Sequence, residues 1–298
     1  PVGLPLGKRK IVYNFMNNVS LTKRQSVEKN YYNSIVHDKW DHKSLLVEHI
    51  EPPFNYYSGD LFGCAKNYIG DFKNKIILEI GCGNGEISVW FAKNGAEVYG
   101  IDISDESIAI AERRSRENGI TEQTHFLVSP GEYTHFLDSF FDIIFINVSL
   151  HHLEVEQALN EFKRVLKPNG IFVAVEPCVF SKTIQTIRTS KLITSLYPIR
   201  QETPTERILF SDDLELIKRI FTDIEYRPYR IFSPFIFKVK PLFFFLANVF
   251  YARERDVEKR RRKMNRGFQK IDEVILTLFP FMKFLSRYIV CKARNSKE

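Results

Sequence analysis

No two of the four cysteines stand close enough to act as a pair: Cys64, Cys82, Cys178 and Cys291 are scattered through 298 residues. That spacing excludes a CxxC-type zinc site or redox motif and offers no metal-ligand set. It reads instead as isolated thiols in a reducing cytoplasm, the expected location. An apolar run fit to span a bilayer is also missing, because Lys238, Lys240, Pro280, Lys283 and Arg287 interrupt the greasiest stretches. The chain opens on Pro1 with no charged-then-apolar segment, so no secretory leader is expected. Internal repeats and low-complexity linkers are absent too.

Positive charge is scarce where nucleic-acid binding would need it. The formal net charge is +7, but from Lys238 to the end there are 16 Lys/Arg against 6 Asp/Glu, and elsewhere 27 against 30. The body is therefore mildly acidic and the tail basic. No basic patch with interleaved aromatics lies near the glycine-rich loop described below, so no nucleic-acid partner is expected.

What is present is a large apolar complement, 44% hydrophobic and 14% aromatic, enough for a packed core. Residues 1–25 are polar and basic, and 26–50 turn helical, so 1–70 is expected to be an arm and a helical cap. From 71 to 232 short apolar runs alternate with helical patterns. Strands are expected at 76–80, 98–101, 125–128, 141–148 and 171–175, with helices at 106–118 and 154–166 between them. Such near-continuous apolar strands suit a parallel sheet covered on both faces. The expected fold is α/β, a doubly wound, mostly parallel sheet. Its rhythm breaks after Pro177, where a helical insertion is expected at 178–209. A helix at 211–221 and a strand at 224–231 resume it, and a last strand falls at 288–293 within the closing segment 288–298. Between those two strands lies an aromatic and basic helical insertion, 233–287.

The strongest chemical signal is Glu79-Ile80-Gly81-Cys82-Gly83-Asn84-Gly85, set after a strand and before a helix. Gly81 and Gly83 permit a sharp turn and close approach of a ligand to the backbone. The following helix presents free N–H groups and a partial positive charge. The G-x-G-x-G spacing, with an acid two residues ahead, differs from the G-x-G-x-x-G of dinucleotide binders. Asp102 directly follows the second strand, where a carboxylate can accept hydrogen bonds from both ribose hydroxyls.

Leu78-Glu79-Ile80-Gly81-Cys82-Gly83-Asn84-Gly85 and Gly100-Ile101-Asp102-Ile103-Ser104 resemble the first two motifs of class I S-adenosylmethionine (SAM)-dependent methyltransferases. Phe141-Asp142-Ile143-Ile144, Leu150-His151-His152-Leu153 and Arg164-Val165-Leu166-Lys167-Pro168-Asn169-Gly170 resemble later motifs of its small-molecule branch. The resemblance covers residues 75–177 and implies a seven-stranded Rossmann-like sheet with SAM as cofactor and S-adenosylhomocysteine as product. It implies that Glu79, Gly81, Cys82, Gly83 and Gly85 hold the methionine part and that Asp102, with Ile103 after it, holds the ribose. Pro130 stands where the family often has an adenine-side acid, so adenine falls to Gly131 and Glu132. Asn147 would lie beside the sulfonium and the acceptor.

His151 and His152 follow the fourth strand at the ligand edge of the sheet, where histidine suits the general base of a hydroxyl acceptor. The alternative for the pair is packing or capping of the next helix. His37 and His42 are read as a cap over the cofactor or as helix packing. Glu176 is read as a substrate contact or a structural hydrogen-bond acceptor. In the tail, Phe243, Phe250, Phe268 and their neighbours read either as a lid over an apolar acceptor or as a membrane-facing surface. On the second reading Lys259-Arg260-Arg261-Arg262-Lys263 meets anionic headgroups. The expected activity is methyl transfer to a small, apolar or lipid-linked acceptor at a hydroxyl oxygen. The alternatives are a silent SAM-binding or membrane-docking module and an RNA or protein methyltransferase. Peripheral contact with an anionic membrane and a homodimer are both compatible with the two insertions.

Overall fold

A computed structural model describes residues 20–36, 45–47, 59–190, 207–229, 267 and 270–296. His37, His42, Phe243, Phe250, Phe268 and the basic run 259–263 lie outside the described residues. Two helices come first, α1 (Lys23–Ile35) and α2 (Gly59–Ile69). The alternating core follows: β1 (Ile76–Ile80), α3 (Glu86–Lys93), β2 (Glu97–Asp102), α4 (Asp105–Glu117), β3 (Thr124–Val128) and β4 (Phe141–Asn147). A 3-10 turn (Leu150–His152), α5 (Val155–Val165), β5 (Leu166–Val179), α6 (Lys182–Thr189), β6 (Leu209–Phe210) and α7 (Ser211–Ile220) come next. The described chain closes with β7 (Thr222–Tyr229), a helical stretch over 270–278, a 3-10 turn (Pro280–Leu285) and β8 (Tyr288–Arg294).

The strands form one sheet in the order β3-β2-β1-β4-β5-β8-β7, with the two-residue β6 pairing off this path with β5. β1 runs parallel to β2 and β4, and β4 parallel to β5, whereas β8 is antiparallel to both β5 and β7. This is the mostly parallel, doubly wound architecture that the alternation implies. The strand order reverses at β1, because β2 and β3 extend to one side and β4 to the other. That reversal opens a crevice beyond the carboxyl ends of β1 and β4, the usual ligand site of such sheets.

Strand parity sorts the core into two layers. Leu78, Ile80, Ile144 and Ile146 pack toward α5 with Phe162 and Phe172. Ile77, Ile143, Phe145 and Val173 face the other way, onto α2 and α3 with Phe62, Trp90 and Phe91. Helix α5 fits its layer because Val155, Ala158, Leu159, Phe162 and Val165 recur at helical spacing and are all buried. Each of the larger of these side chains, moved from water to the core, contributes about 1.5–3 kcal/mol.

Two local details depart from the sequence pattern. The Pro168-Asn169-Gly170 turn lies inside the span of β5, with Asn169 left-handed at φ 62° and its N–H donating to Asn295. β5 itself runs on to Val179, two residues past the Pro177 at which the alternation breaks. Among the described residues no helix is long and apolar enough to cross a membrane.

Candidate functional site

The glycine loop is folded by its own turn chemistry. Cys82 N–H donates to the Ile101 carbonyl at 2.9 Å, tying the loop to β2, and Gly85 N–H closes the turn on the Cys82 carbonyl at 3.0 Å. Gly81 and Gly85 both adopt left-handed backbone, with φ of 65° and 73°. A Cβ on Gly81 would run into the Ser149 hydroxyl, and one on Gly85 would press on Ala111 and Phe126. Glycine is therefore required twice over at these positions, by dihedral and by space. From behind, the buried Arg114 of α4 donates to the Asn84 carbonyl at 2.9 Å.

Beyond the loop lies a cavity of about 240 Å³ at the crevice between β1 and β4. Gly81, Gly83, Asp102, Ile103, Gly131, Glu132 and His152 line it, all of them site residues expected from the sequence. Asp102 is held by the loop it faces: its Oδ2 accepts from Gly83 N–H and its Oδ1 from Ser104 N–H, each at 2.9 Å. Desolvation raises the Asp102 carboxyl above its ordinary range, opposed by the Ser104 and Gly83 N–H donors.

Five expected residues do not line the cavity. Cys82 and Gly85 support the loop from the side of Ile108, Ala111 and Phe126. Asn147 ends β4 without reaching the lining. Glu79, two per cent exposed, points into the core and accepts from the Ser88 hydroxyl on α3. Burial pushes its carboxyl up to about 8, with the Ser88 hydrogen bond opposing that rise. Because an unfolded glutamate ionises near 4.5, the folded state holds a proton that the unfolded chain has lost. Stability from this group is thus present at low pH and falls as pH rises from about 4.5 through about 8. Glu79→Gln should flatten that decline, which urea titrations across this window would show. An equal slope in both proteins would place the ionisation elsewhere.

His151 is the fifth. Its Nδ1 lies 2.7 Å from Glu176 Oε2, and both side chains are buried. The other Glu176 oxygen accepts the Ser149 and Leu150 N–H groups at 2.8 Å each. Glu176 is therefore a structural acceptor that fixes the turn after β4.

His152 points the opposite way, into the cavity. Its Nε2 is 3.0 Å from the Tyr32 hydroxyl. Its Nδ1 lies 3.3 Å from Glu28 Oε2, in ion-pair range but off the line of a hydrogen bond. The two histidine rings lie 4.2 Å apart.

Tyr32, Glu28 and Gln25 all line the cavity from α1, the last two not singled out by the sequence. This helix starts cleanly, with a capping box between Thr22 and Gln25. It then covers the cavity through polar contacts. Arg24 pairs with Glu154 at 2.9 Å and donates to the His152 carbonyl. Gln25 donates to Glu132 at 3.0 Å, Lys29 pairs with Asp105 at 3.0 Å, and the Ser104 hydroxyl donates to Asn33 at 2.7 Å. Each Glu132 oxygen thus accepts one hydrogen bond, the second from the Glu154 N–H at 3.1 Å.

Comparison with known proteins bears on the domain and the fold. Residues 78–174 match the family model described as a methyltransferase domain. The chain is similar to methyltransferase GfsG of Streptomyces halstedii, 30% identical over 38% of this chain and 41% of that one. It is also similar to the ubiquinone/menaquinone biosynthesis C-methyltransferase UbiE of Rickettsia typhi, 27% identical over 56% of this chain and 65% of that one. The chain thus spans less than two thirds of the length of either relative. Among solved structures, geranyl diphosphate C-methyltransferase from Streptomyces coelicolor superposes with a TM-score of 0.57. It is 15% identical, over 93% of this chain and all of that one, and it shows the same fold.

Proposed function

We propose that residues 78–174, which match a methyltransferase domain model, belong to a class I methyltransferase that binds SAM and transfers its methyl group to a small, apolar or lipid-linked acceptor. The observation that carries the cofactor half is the cavity at the reversal of strand order, where Gly81, Gly83 and Asp102 meet. A bare glycine backbone beside a carboxylate held by backbone N–H donors suits a ligand that brings a charged amino acid and a ribose diol.

In this reading Gly81 and Gly83 accommodate the methionine part, and Asp102 accepts from the ribose hydroxyls. Adenine falls to Gly131 and Glu132, whose side chain is fixed by Gln25 and Glu154. When bound, the cofactor supplies a methyl group already activated on a sulfonium and leaves as S-adenosylhomocysteine. The protein's task is to hold the acceptor in line, about 3 Å away, and to exclude water. His152 takes the proton that a hydroxyl acceptor must lose, and the Glu28 carboxylate stabilises the imidazolium that results. His151 acts only through position, held by Glu176.

A second reading has carbon as the methyl target. The UbiE relative is named as a C-methyltransferase, as is the geranyl diphosphate enzyme that shares the fold. The same base would serve there by removing a proton from the methylated carbon or from a phenol conjugated to it. Mass spectrometry of the methylated product distinguishes an ether from a carbon–carbon bond.

The cofactor assignment is tested first, by calorimetric titration with SAM, with S-adenosylhomocysteine, and with NAD as a control. Binding of the SAM pair without NAD is the expected result. Asp102→Ala should then weaken SAM binding by about 1–3 kcal/mol, the scale of losing charge-assisted hydrogen bonds. An affinity unchanged by this substitution would remove the ribose role of Asp102.

A further inference from the structure

Helix α1 lays two rows of side chains along the cavity, each at a spacing of four residues. Gln25, Lys29 and Asn33 reach Glu132, Asp105 and Ser104, in the segments that follow β3 and β2. Arg24, Glu28 and Tyr32 all turn to His152, meeting its carbonyl, Nδ1 and Nε2 in that order. Glu28 thus stands in the middle of the second row, against the turn after β4. Ser149 of the same turn adjoins the glycine loop, since a Cβ on Gly81 would run into its hydroxyl. Glu28 therefore belongs to the end of the cavity that Gly81, Ser149 and His152 share.

The lining is acidic. Glu28, Asp102 and Glu132 contribute carboxylates, whereas no lysine or arginine lines the cavity among the described residues. A buried carboxylate needs hydrogen-bond donors or positive charge around it. Asp102 takes the Gly83 and Ser104 N–H groups, and Glu132 takes Gln25 and the Glu154 N–H. Glu28, 4% exposed, faces a titratable group instead, the His152 Nδ1 at 3.3 Å and off the line of a hydrogen bond. With that imidazole neutral, the charge of Glu28 acts on this end of the cavity.

We propose that Glu28 makes the site selective for positive charge, and so distinguishes SAM from S-adenosylhomocysteine. The inference rests on the SAM reading of the cavity and adds the residue that tells the two ligands apart. SAM carries one positive charge more than its product, because the sulfonium becomes a neutral thioether. Transfer to a hydroxyl breaks the methyl–sulfur bond, leaves its electron pair on sulfur, forms a carbon–oxygen bond and sends the hydroxyl proton to His152. One unit of positive charge thereby passes to the imidazole, which Glu28 already faces. Once that proton has gone to solvent, the thioether offers Glu28 no charge, and the product is released in preference to SAM.

The test is calorimetric titration of the parent and of Glu28→Gln with SAM, S-adenosylhomocysteine and sinefungin, which carries an amine in place of the sulfonium. The parent should bind SAM and sinefungin more tightly than S-adenosylhomocysteine. Glu28→Gln should weaken both cationic ligands about tenfold and move S-adenosylhomocysteine by no more than about twofold. Glu28→Asp keeps the charge and should keep the preference. Equal losses for all three ligands overturn the proposal, because Glu28 would then only seat α1. Unchanged affinities overturn it too, as does a parent that binds sinefungin no better than S-adenosylhomocysteine, a result that needs no variant to fold. A parent that binds none of the three removes the SAM reading itself and this inference with it, whereas binding with an unmoved preference removes the inference alone.

Discussion

His152→Ala should lower methyl-transfer turnover by about 10²-fold or more while leaving SAM affinity nearly intact, the scale of losing a positioned general base. Of the two adjacent histidines only His152 lines the cavity, with the Tyr32 hydroxyl on one ring nitrogen and the Glu28 carboxylate near the other. His151 is buried away from the lining, its Nδ1 on Glu176. His152 also helps to hold α1, so loss of rate alone would not assign it to proton transfer. Tyr32→Phe separates the two roles, since it removes the tie to α1 and spares the imidazole. Turnover kept in Tyr32→Phe and lost in His152→Ala marks the base. Matching losses in both variants, with SAM affinity down in each, would make His152 a packing residue.

Glu176→Ala should destabilise the fold by about 3–5 kcal/mol, the largest stability loss expected of any site-adjacent substitution here. The side chain is fully buried and accepts two backbone N–H groups as well as interacting with His151. Alanine would leave those N–H groups without their acceptor, and each stranded donor costs about 1–3 kcal/mol. Glu176→Gln keeps an oxygen for Ser149 and Leu150 and should lose much less. Urea denaturation of the three proteins reads the difference. A midpoint in the alanine variant equal to that of the parent would mean that water reaches the turn after β4.

The parallel sheet was legible because strands buried on both faces leave near-continuous apolar runs, as at 76–80 and 141–147, and the intervening helices carry clear periodicity. The glycine loop and Asp102 were legible because backbone approach and ribose binding demand particular residue types at fixed places. Glu79 is different. Strand alternation sets it on the side of Ile77, toward α3, while Ile80 faces the cavity, so parity carried a signal that motif spacing alone hides. A helical cap was expected within 1–70, but which face of α1 turns inward was not legible. Its apolar residues Tyr31, Tyr32, Ile35 and Val36 suggest an inward stripe, yet Gln25 and Glu28 are the helix residues that are buried. A helix that turns polar side chains inward lines a ligand space or meets a polar surface, and periodicity cannot separate that from an ordinary exposed face.

The polar seating of α1 has a kinetic consequence. A lid held by apolar burial must expose greasy surface to lift, and its opening is slow and insensitive to salt. Helix α1 gives up mainly hydrogen bonds and ion pairs, through Arg24, Gln25, Lys29 and Asn33, and water replaces most of these at small net cost. Opening is therefore shallow in free energy, and it quickens as ionic strength rises. On the proposed function, such a seating would let α1 lift for the passage of cofactor and product while the sheet beneath stays packed.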